Sequence, residues 1–419
     1  MSRNSALKTF ALQLLKTFLA AVFVVLTSRW LGAGGRGQLS LILFYVNLAM
    51  IANEYVGGSS LGNLAASMGA AKVHPTAFIW ATLVAIVSWL VFFISPAFHS
   101  MAAELGLLVF ALGQLTVHYN VYQGLGRVYV RNRLQLALEL GKLTCLCGIV
   151  WFTGVQFLNP HQVVDITLLV TFVVYLASEI LLRRDLWQPG RGRVLILKQP
   201  FALGFWAQNG QLVQFLNYRL SLVLLQEMTG TSVPVGVYSN VLLIADTIWI
   251  FGNSFGTIAH MRMLQSQSVA FRADITLRYA VISAVGTGGA CLLLAFLPAG
   301  LFAMVFGAEF TQMKSASLWL IPSILSLGAS TLFSHYLHAV GKFRSLLSCN
   351  LAGLAVQFLL AVWLIPRMGL TGACLAADAG FFAILVLVYL QFRRDNPHAE
   401  FHGVVRVKVL FKLLLRRFR

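Results

Sequence analysis

Three basic side chains lie within long apolar stretches of this 419-residue chain, namely Lys16, Lys142 and Arg219. A charge at the middle of a bilayer costs about 2.5–3.5 kcal/mol, so each needs a partner or a water-filled cavity. Glu139 precedes Lys142 by three residues, which predicts a local ion pair. Lys16 and Arg219 have no acid three or four residues away. We expect them to face a polar interior and attract a phosphate, for which guanidinium and ammonium groups are suited; snorkelling to a membrane surface is the alternative.

Three acids also lie within apolar stretches: Glu54, Asp246 and Asp378. An intramembrane carboxylate is able to bind a proton or Na⁺ and so to couple transport to an ion gradient. The alternative for each acid is a pair with a buried base, or with a backbone group of another helix. Asn217 stands near Arg219 and adds hydrogen-bonding capacity. We expect these four residues to supply ion coupling or a polar cavity wall.

The sequence contains no recognisable catalytic or metal-binding motif. His118, His260, His335 and His338 lack metal-ligand spacing to acids or cysteines, and no third ligand accompanies His335 and His338. A glycine-rich loop before a Lys-Ser or Lys-Thr pair, which would cradle ATP phosphates, is also missing. The sequence therefore predicts a protein that is not an enzyme and that has no metal and no cofactor.

The elements that must position these groups are membrane-spanning helices. The chain is 58% hydrophobic and only 11% charged, too little charge for a soluble surface. Apolar stretches of about twenty residues recur along it, which is typical of transmembrane helices. We predict an all-α membrane protein with about 12 transmembrane helices. The first two predicted spans are Leu7–Ser28 and Leu39–Ser59, the first being retained rather than cleaved.

The distribution of basic residues predicts the orientation. Placing the N-terminus in the cytoplasm puts most of the 31 Lys and Arg residues on the inner side, as the positive-inside rule requires. The C-terminus is then cytoplasmic as well. The net charge of +18 is explained by topology and anionic headgroups. No basic face stands on a soluble fold, so we expect no nucleic-acid partner.

The longest predicted inner connection divides the chain into two halves of six spans. The predicted domains are an N-terminal six-helix bundle, a cytoplasmic linker, a C-terminal six-helix bundle and a basic amphipathic cytoplasmic tail, at 1–182, 183–199, 200–391 and 392–419. A short repeat supports duplication: Gly126-Arg127 ends span four and Gly341-Lys342 ends span ten. The tail places apolar and basic residues on opposite helical faces, as in helices that lie in headgroups.

Several segments across nearly the whole chain resemble polysaccharide flippases, which translocate O-antigen and capsule repeat units and belong to the multidrug/oligosaccharidyl-lipid/polysaccharide exporter superfamily. The segments are Ser28–Gly32 with Gly35–Gly37, Phe215–Leu220, Val235–Ser239, Phe306–Phe310, Leu320–Pro322, Gly341-Lys342, Leu364–Pro366 and Gly369–Ala373. One departure concerns the position after Tyr-Arg-Leu, where the family often has an acid and this chain has Ser221. Without that carboxylate, Arg219 is freer to bind a phosphate, or else ion coupling at this position is in doubt.

The resemblance implies two six-helix bundles around a central cavity and alternating access without ATP hydrolysis. The implied substrate is a polyprenyl-pyrophosphate-linked oligosaccharide, moved from the cytoplasmic to the periplasmic leaflet of the bacterial inner membrane. For its pyrophosphate the predicted residues are Arg219, Lys16, Lys142 and Arg29. Expected partners are the lipid bilayer, a polysaccharide polymerase and a chain-length regulator, with a H⁺ or Na⁺ gradient as the energy source. The alternatives are a cation-coupled multidrug exporter of the same superfamily and a membrane glycan polymerase.

Overall fold

A computed structural model describes residues 3–155, 158–186, 198–266 and 268–397. Its helices are α1 (Arg3–Gly57), α2 (Ser59–Met68), α3 (Ala70–Ile94), α4 (Ala102–Gly124), α5 (Val128–Thr153), α6 (Pro160–Leu186), α7 (Lys198–Thr229), α8 (Val233–Leu264), α9 (Val269–Phe296), α10 (Ala299–Phe306), α11 (Met313–Trp319), α12 (Ile321–Ala339), α13 (Phe343–Met368) and α14 (Leu370–Asp395). Short 3₁₀ turns cover His99–Met101 and Ala308–Phe310. The predicted all-α class is confirmed.

Nine of the described helical segments are long and apolar enough to cross a membrane, and a bent pair, Ala308–Trp319 with Ile321–Ala339, makes a tenth. The two helices of this pair meet at an angle of 51°. Pro322 lies in the first turn of α12, where a proline fits because backbone N–H groups of the first turn have no acceptor within the helix. With the two arms of α1 counted separately and the 32-residue α7 added, the described helices account for the twelve predicted spans. The cytoplasmic placement of both termini stays a prediction.

The chain divides into two compact units. Unit 1 comprises Met1–Leu212 and Met304–Glu309, and unit 2 comprises Val213–Ala303 and Phe310–Arg419. The division falls within α7, beyond the linker predicted at 183–199. Residues 187–197 of that linker, and 398–419 of the predicted amphipathic tail, lie outside the described residues.

The connection between the first two spans differs from the prediction. In place of a loop from Arg29 to Gln38, α1 is interrupted only at Gly32, with φ 67° and ψ 180°. Glycine reaches this left-handed φ without steric cost. The helix resumes at Ala33, whose backbone N–H donates to Glu309 Oε2 over 2.6 Å. A carboxylate at a helix N-terminus satisfies a free donor and opposes the positive end of the helix dipole, so one glycine and one acid replace the predicted loop.

Each unit is organised around one helix. In unit 1, α4 packs against α1, α2, α3, α5 and α6, and in unit 2, α12 packs against α8, α9, α13 and α14. Outward faces of other helices remain apolar, as lipid contact requires; among their exposed side chains are Ile86, Ile94, Trp151, Phe152, Leu293 and Leu359. The central helices therefore position whatever polar groups each unit contains.

The two central helices end in the same way. Gly126 after α4 and Gly341 after α12 have φ of 72° and 77°. In both turns the following base, Arg127 or Lys342, donates its backbone N–H over 2.8 Å to the carbonyl five residues earlier. This pattern is the Schellman termination of a helix. The short glycine-base repeat in the sequence thus corresponds to a repeated backbone structure, which supports duplication.

Candidate functional site

Unit 2 contains a cavity of about 200 Å³ whose wall is formed by five helices. The lining comes from α7 (Gln214, Asn217, Tyr218), α8 (Trp249, Asn253), α12 (Leu327, Ser330, Thr331, Ser334, His335, His338), α13 (Leu346, Asn350) and α14 (Phe381, Ile384). On α7 and α12 these residues recur at intervals of three and four, so each helix presents one face. The lining contains no Asp, Glu, Lys or Arg among the described residues.

Three aromatic rings form one side of this cavity. The Tyr218 ring centroid lies 5.4 Å from that of Trp249 and 5.3 Å from that of Phe381. Trp249 Nε1 donates to Thr331 Oγ1 over 2.9 Å, and the Thr331 hydroxyl donates to the Leu327 carbonyl over 2.7 Å. The indole is therefore held by both packing and a hydrogen bond, so the cavity presents a fixed aromatic surface.

The polar part of the cavity wall includes the amide of Asn217. Asn217 Nδ2 donates to the carbonyls of Val213 and Asn350, over 3.0 and 3.1 Å. Asn217 is only 2% exposed, and its Oδ1 has no hydrogen-bond partner in the described part of the chain. A buried amide oxygen without a donor is unfavourable unless a ligand or water supplies one. The cavity thus combines an aromatic face with an unused acceptor.

The acids that sequence analysis proposed for unit 2 both have partners. Asp246 Oδ2 lies 2.7 Å from Arg219 Nη2. Asp378 accepts hydrogen bonds from the Ser323 backbone N–H, at 2.9 Å, and from the Ser323 hydroxyl. Ser323 lies in the first turn of α12, so the Asp378 carboxylate satisfies a free N–H there. Both alternatives stated for these acids, a buried base and a backbone group, are therefore realised.

Arg219 requires a correction. The lack of an acid after Tyr-Arg-Leu removed only a local partner and suggested that Arg219 is freer to bind a phosphate, but Asp246 of helix α8 pairs with it. Arg219 follows Tyr218 in α7 and does not itself line the cavity. Its contact with Asp246 uses only Nη2, whereas a guanidinium has five N–H donors. The ion pair with Asp246 therefore neutralises the charge of Arg219 but leaves other N–H donors of the guanidinium unused by that contact.

The predicted basic residues of unit 1 have neutral or acidic partners. Lys16 Nζ donates to Gln135 Oε1 of α5 over 3.1 Å. Lys142 Nζ lies 2.8 Å from Glu139 Oε2, the predicted local pair. Both lysines therefore contact the same stretch of α5. Arg29 is exposed and donates to the Met304 carbonyl over 3.1 Å.

Glu54 of α1 differs from the other proposed acids. Its side chain is half-buried, and no hydrogen bond or ion pair of its carboxylate occurs within the described residues. Burial without a partner disfavours the charged form. Such a carboxylate is suited to bind a proton or a metal cation, as the sequence analysis proposed.

Of the polar residues that line the cavity, only Asn217 was predicted from the sequence as a cavity residue. Sequence analysis missed Tyr218, Trp249 and Phe381 as a group, because the three rings come from three helices. The available signal was the recurrence of polar and aromatic residues on one face of α7. It also missed a contact between His74, His118 and Glu179, which are far apart in the chain.

The fold and the site define an all-helical polytopic membrane protein whose second unit encloses an uncharged polar and aromatic cavity. A MATE-family multidrug resistance transporter of the MOP superfamily, in an inward-facing conformation, matches with a TM-score of 0.68 at 15% identity, covering 90% of this chain and 94% of that chain. The lipid II flippase MurJ, in an inward closed conformation, matches with a TM-score of 0.66 at 12% identity, covering 100% and 94%. This chain therefore has the fold of those MOP-type transporters.

Sequence similarity is more local. No protein-family model matches the chain. A probable multidrug resistance protein NorM of Bacillus cereus is 30% identical over 105 residues. That match spans 22% of this chain and 22% of the relative, so the chain matches about a fifth of the curated relative's length.

Proposed function

We propose that the protein is a flippase for polyprenyl-pyrophosphate-linked oligosaccharide repeat units. It moves them from the cytoplasmic to the periplasmic leaflet of the bacterial inner membrane, for synthesis of polysaccharide or lipopolysaccharide O-antigen. The observation that carries this proposal is the uncharged polar and aromatic lining of the unit 2 cavity. The proteins of similar fold are described as transporters, which supports transport rather than catalysis.

The cavity lining suits a sugar. Sugar rings have apolar C–H faces that pack on aromatic rings, and the cluster of Tyr218, Trp249 and Phe381 offers such a surface. Sugar hydroxyls both donate and accept hydrogen bonds, and the Asn217 Oδ1 acceptor is unused in the described part. The volume of about 200 Å³ is below the roughly 300–1,000 Å³ of drug-sized pockets, and suits part of an oligosaccharide.

The diphosphate requires a cation. Arg219 is 31% exposed at its side chain, and its contact with Asp246 leaves guanidinium donors for phosphate oxygens. Lys16 and Lys142 on the α1–α5 side, and Arg29, are further candidates that the diphosphate meets during transport.

The half-buried Glu54 is the proposed acid for coupling to a H⁺ or Na⁺ gradient. A polymerase and a chain-length regulator are the proposed partners that receive the substrate.

The second candidate function is cation-coupled multidrug export. It is favoured by the Glu54 carboxylate, since an unpaired buried acid attracts cationic drugs as well as coupling ions. The NorM similarity and the MATE-like fold support multidrug export as much as they support the flippase. The two candidates differ in what the unit 2 cavity holds.

Export in the native host distinguishes them. In a strain without the endogenous gene, Trp249→Ala removes the ring that Thr331 fixes. At equal membrane levels we expect about tenfold less surface polysaccharide, equivalent to about 1.4 kcal/mol, with repeat units accumulating on the inner leaflet. Trp249→Phe should retain most export. Normal surface polysaccharide in Trp249→Ala would contradict the proposal.

Trp319 provides a matched control, because it is 49% exposed and lies outside the cavity. Trp319→Ala should leave export unchanged.

The same strains are loaded with a cationic dye. A flippase predicts unchanged dye retention in every variant. Dye accumulation in Glu54→Gln together with normal surface polysaccharide would instead establish the multidrug exporter.

A further inference from the structure

Unit 1 brings together three side chains with metal-ligand chemistry from three different helices. His74 Nε2 of α3 lies 3.3 Å from His118 Nε2 of α4. The same His118 nitrogen lies 3.1 Å from Glu179 Oε2 of α6. One ligand atom from each of the three residues lies within 4.8 Å of the other two. We name this group the His-His-Glu cluster.

A contact on the far side of the His118 ring fixes the direction in which its Nε2 atom points. The Ser178 hydroxyl donates its single proton to the Tyr175 carbonyl over 2.8 Å. Ser178 Oγ is also 2.6 Å from His118 Nδ1. With Nδ1 held by Ser178, the other ring nitrogen, Nε2, faces the cluster.

The Nε2 atom of His118 faces the carboxylate of Glu179. Glu179 Oε2 is buried and lies next to this nitrogen. Its second oxygen, Oε1, is held by Arg183 Nε over 2.8 Å, which fixes the orientation of the carboxylate. A carboxylate oxygen and a nitrogen of the fully buried His118 ring, 3.1 Å apart, are stable only with a proton or a metal cation between them.

The surroundings hold the cluster in place before any ion arrives. The His118 ring lies 5.4 Å from the His74 ring and 5.6 Å from the Tyr175 ring, centroid to centroid. His118 is fixed by Ser178 and Glu179 by Arg183. Hydrogen bonds of this kind to the far side of metal ligands are a regular feature of metal sites, and orient the ligands.

We propose that the His-His-Glu cluster binds one Zn²⁺-class divalent transition-metal ion. Two imidazole nitrogens and a carboxylate oxygen with an open fourth position form a known Zn²⁺ ligand set. Ligands about 2.0–2.1 Å from a tetrahedral ion lie about 3.4 Å apart, close to the 3.3 and 3.1 Å observed. Mg²⁺ and Ca²⁺ require mostly oxygen ligands and fit poorly.

The position of the cluster indicates from which side of the membrane the ion enters and which helices it joins. His74 lies in the second turn of α3, and His118 and Glu179 lie two turns before the ends of α4 and α6. These helix ends adjoin Lys72 and Arg183, on the side that the basic-residue distribution assigns to the cytoplasm. The ion joins three helices of unit 1 at that end and adds a link that the hydrophobic core does not provide. This proposal departs from the expectation, drawn from chain spacing alone, that no metal is bound.

The test uses purified full-length protein in detergent, with the affinity tag removed and the sample treated with a chelator. Titration with Zn²⁺ should give one ion per chain, and Co²⁺ should give the visible absorption of a tetrahedral complex. His118→Ala should abolish both signals. Glu179→Gln has nearly the same shape and covers the case in which His118→Ala does not fold. In Glu179→Gln we expect Zn²⁺ affinity to fall at least about tenfold, and the rise in melting temperature with Zn²⁺ to disappear.

His335→Ala is the matched control, because unit 2 contains a second histidine group, with the His260 and His335 rings 5.4 Å apart. Its Zn²⁺ binding should equal that of the unaltered protein. Loss of the ion in His335→Ala would overturn the proposal. Absence of bound ion in the unaltered protein would also overturn it, and would mean that a proton is shared within the His-His-Glu cluster. The readout involves no transport, so its failure leaves the flippase proposal standing, and the reverse also holds.

Discussion

The two units use their buried acids differently. In unit 2, Asp246 pairs with Arg219 at 2.7 Å and Asp378 accepts two hydrogen bonds from Ser323. In unit 1, the Glu54 carboxylate has no hydrogen bond or ion pair within the described ranges, and Glu179 Oε2 lies in the His-His-Glu cluster, 3.1 Å from His118 Nε2. Asp246 and Asp378 join helices of unit 2, whereas Glu54 and Glu179 of unit 1 are the acids proposed to take a cation. The comparison separates the proposed sugar site from the proposed ion sites.

The largest expected effect tests the structural role of Asp378. Asp378→Ala leaves the Ser323 backbone N–H and hydroxyl without their acceptor. Each unsatisfied group costs about 1–3 kcal/mol, so we expect about 2–6 kcal/mol of lost stability for the two groups. Thermal unfolding in detergent, followed by circular dichroism, measures it.

Asp378→Asn retains an acceptor oxygen and should recover most of that stability. It should also preserve export, because the proposed coupling acid is Glu54. An Asp378→Ala protein with unchanged melting but export no longer driven by an ion gradient would break the comparison, since unit 2 would then contain the coupling acid.

A smaller effect concerns the half-exposed pair of Arg219 and Asp246. Arg219→Ala should lower stability by about 1 kcal/mol, the upper range for partly solvated pairs. It should lower export about tenfold. Adding Asp246→Ala should restore the stability, because no charge remains unpaired, but not the export. Recovery of export in the double variant would show that Arg219 serves only to neutralise Asp246.

The smallest effect is expected for the local pair on α5. Replacing both partners, Lys142→Met with Glu139→Gln, should change stability by less than about 0.5 kcal/mol, because replacing a buried pair as a unit is often neutral. Surface polysaccharide should fall less than about twofold, because Arg219 supplies the main proposed contact to the diphosphate. A larger loss of export at unchanged stability would make Lys142 a main contact and sharpen the account of unit 1.

Local pattern explains what the sequence predicted correctly. Runs of apolar residues predicted the helices, and the spacing of Glu139 and Lys142 predicted their ion pair at 2.8 Å. The turn after α4 and its counterpart after α12 were visible as a short glycine-base repeat. In each case the interacting groups lie within one or two helical turns, so no knowledge of tertiary packing was needed.

Contacts between distant helices were not predictable in the same way. Asp246 lies 27 residues beyond Arg219, and Ser323 lies 55 residues from Asp378. Which faces meet is decided by packing, which one sequence without its tertiary structure does not specify. The His-His-Glu cluster was hidden for the same reason, since metal-ligand spacing is a reliable guide only when ligands share an element or a short loop.

The bond from Ala33 to Glu309 has a consequence for biosynthesis. Its two residues are 276 positions apart, and ribosomes add roughly 5–20 residues per second. The start of the second span therefore waits about 15–55 s, by that rate, before the acid that completes it has been made. During this interval water or lipid headgroups must occupy the place of Glu309. A helix start that is synthesised early is thus among the last parts of unit 1 to reach its final form.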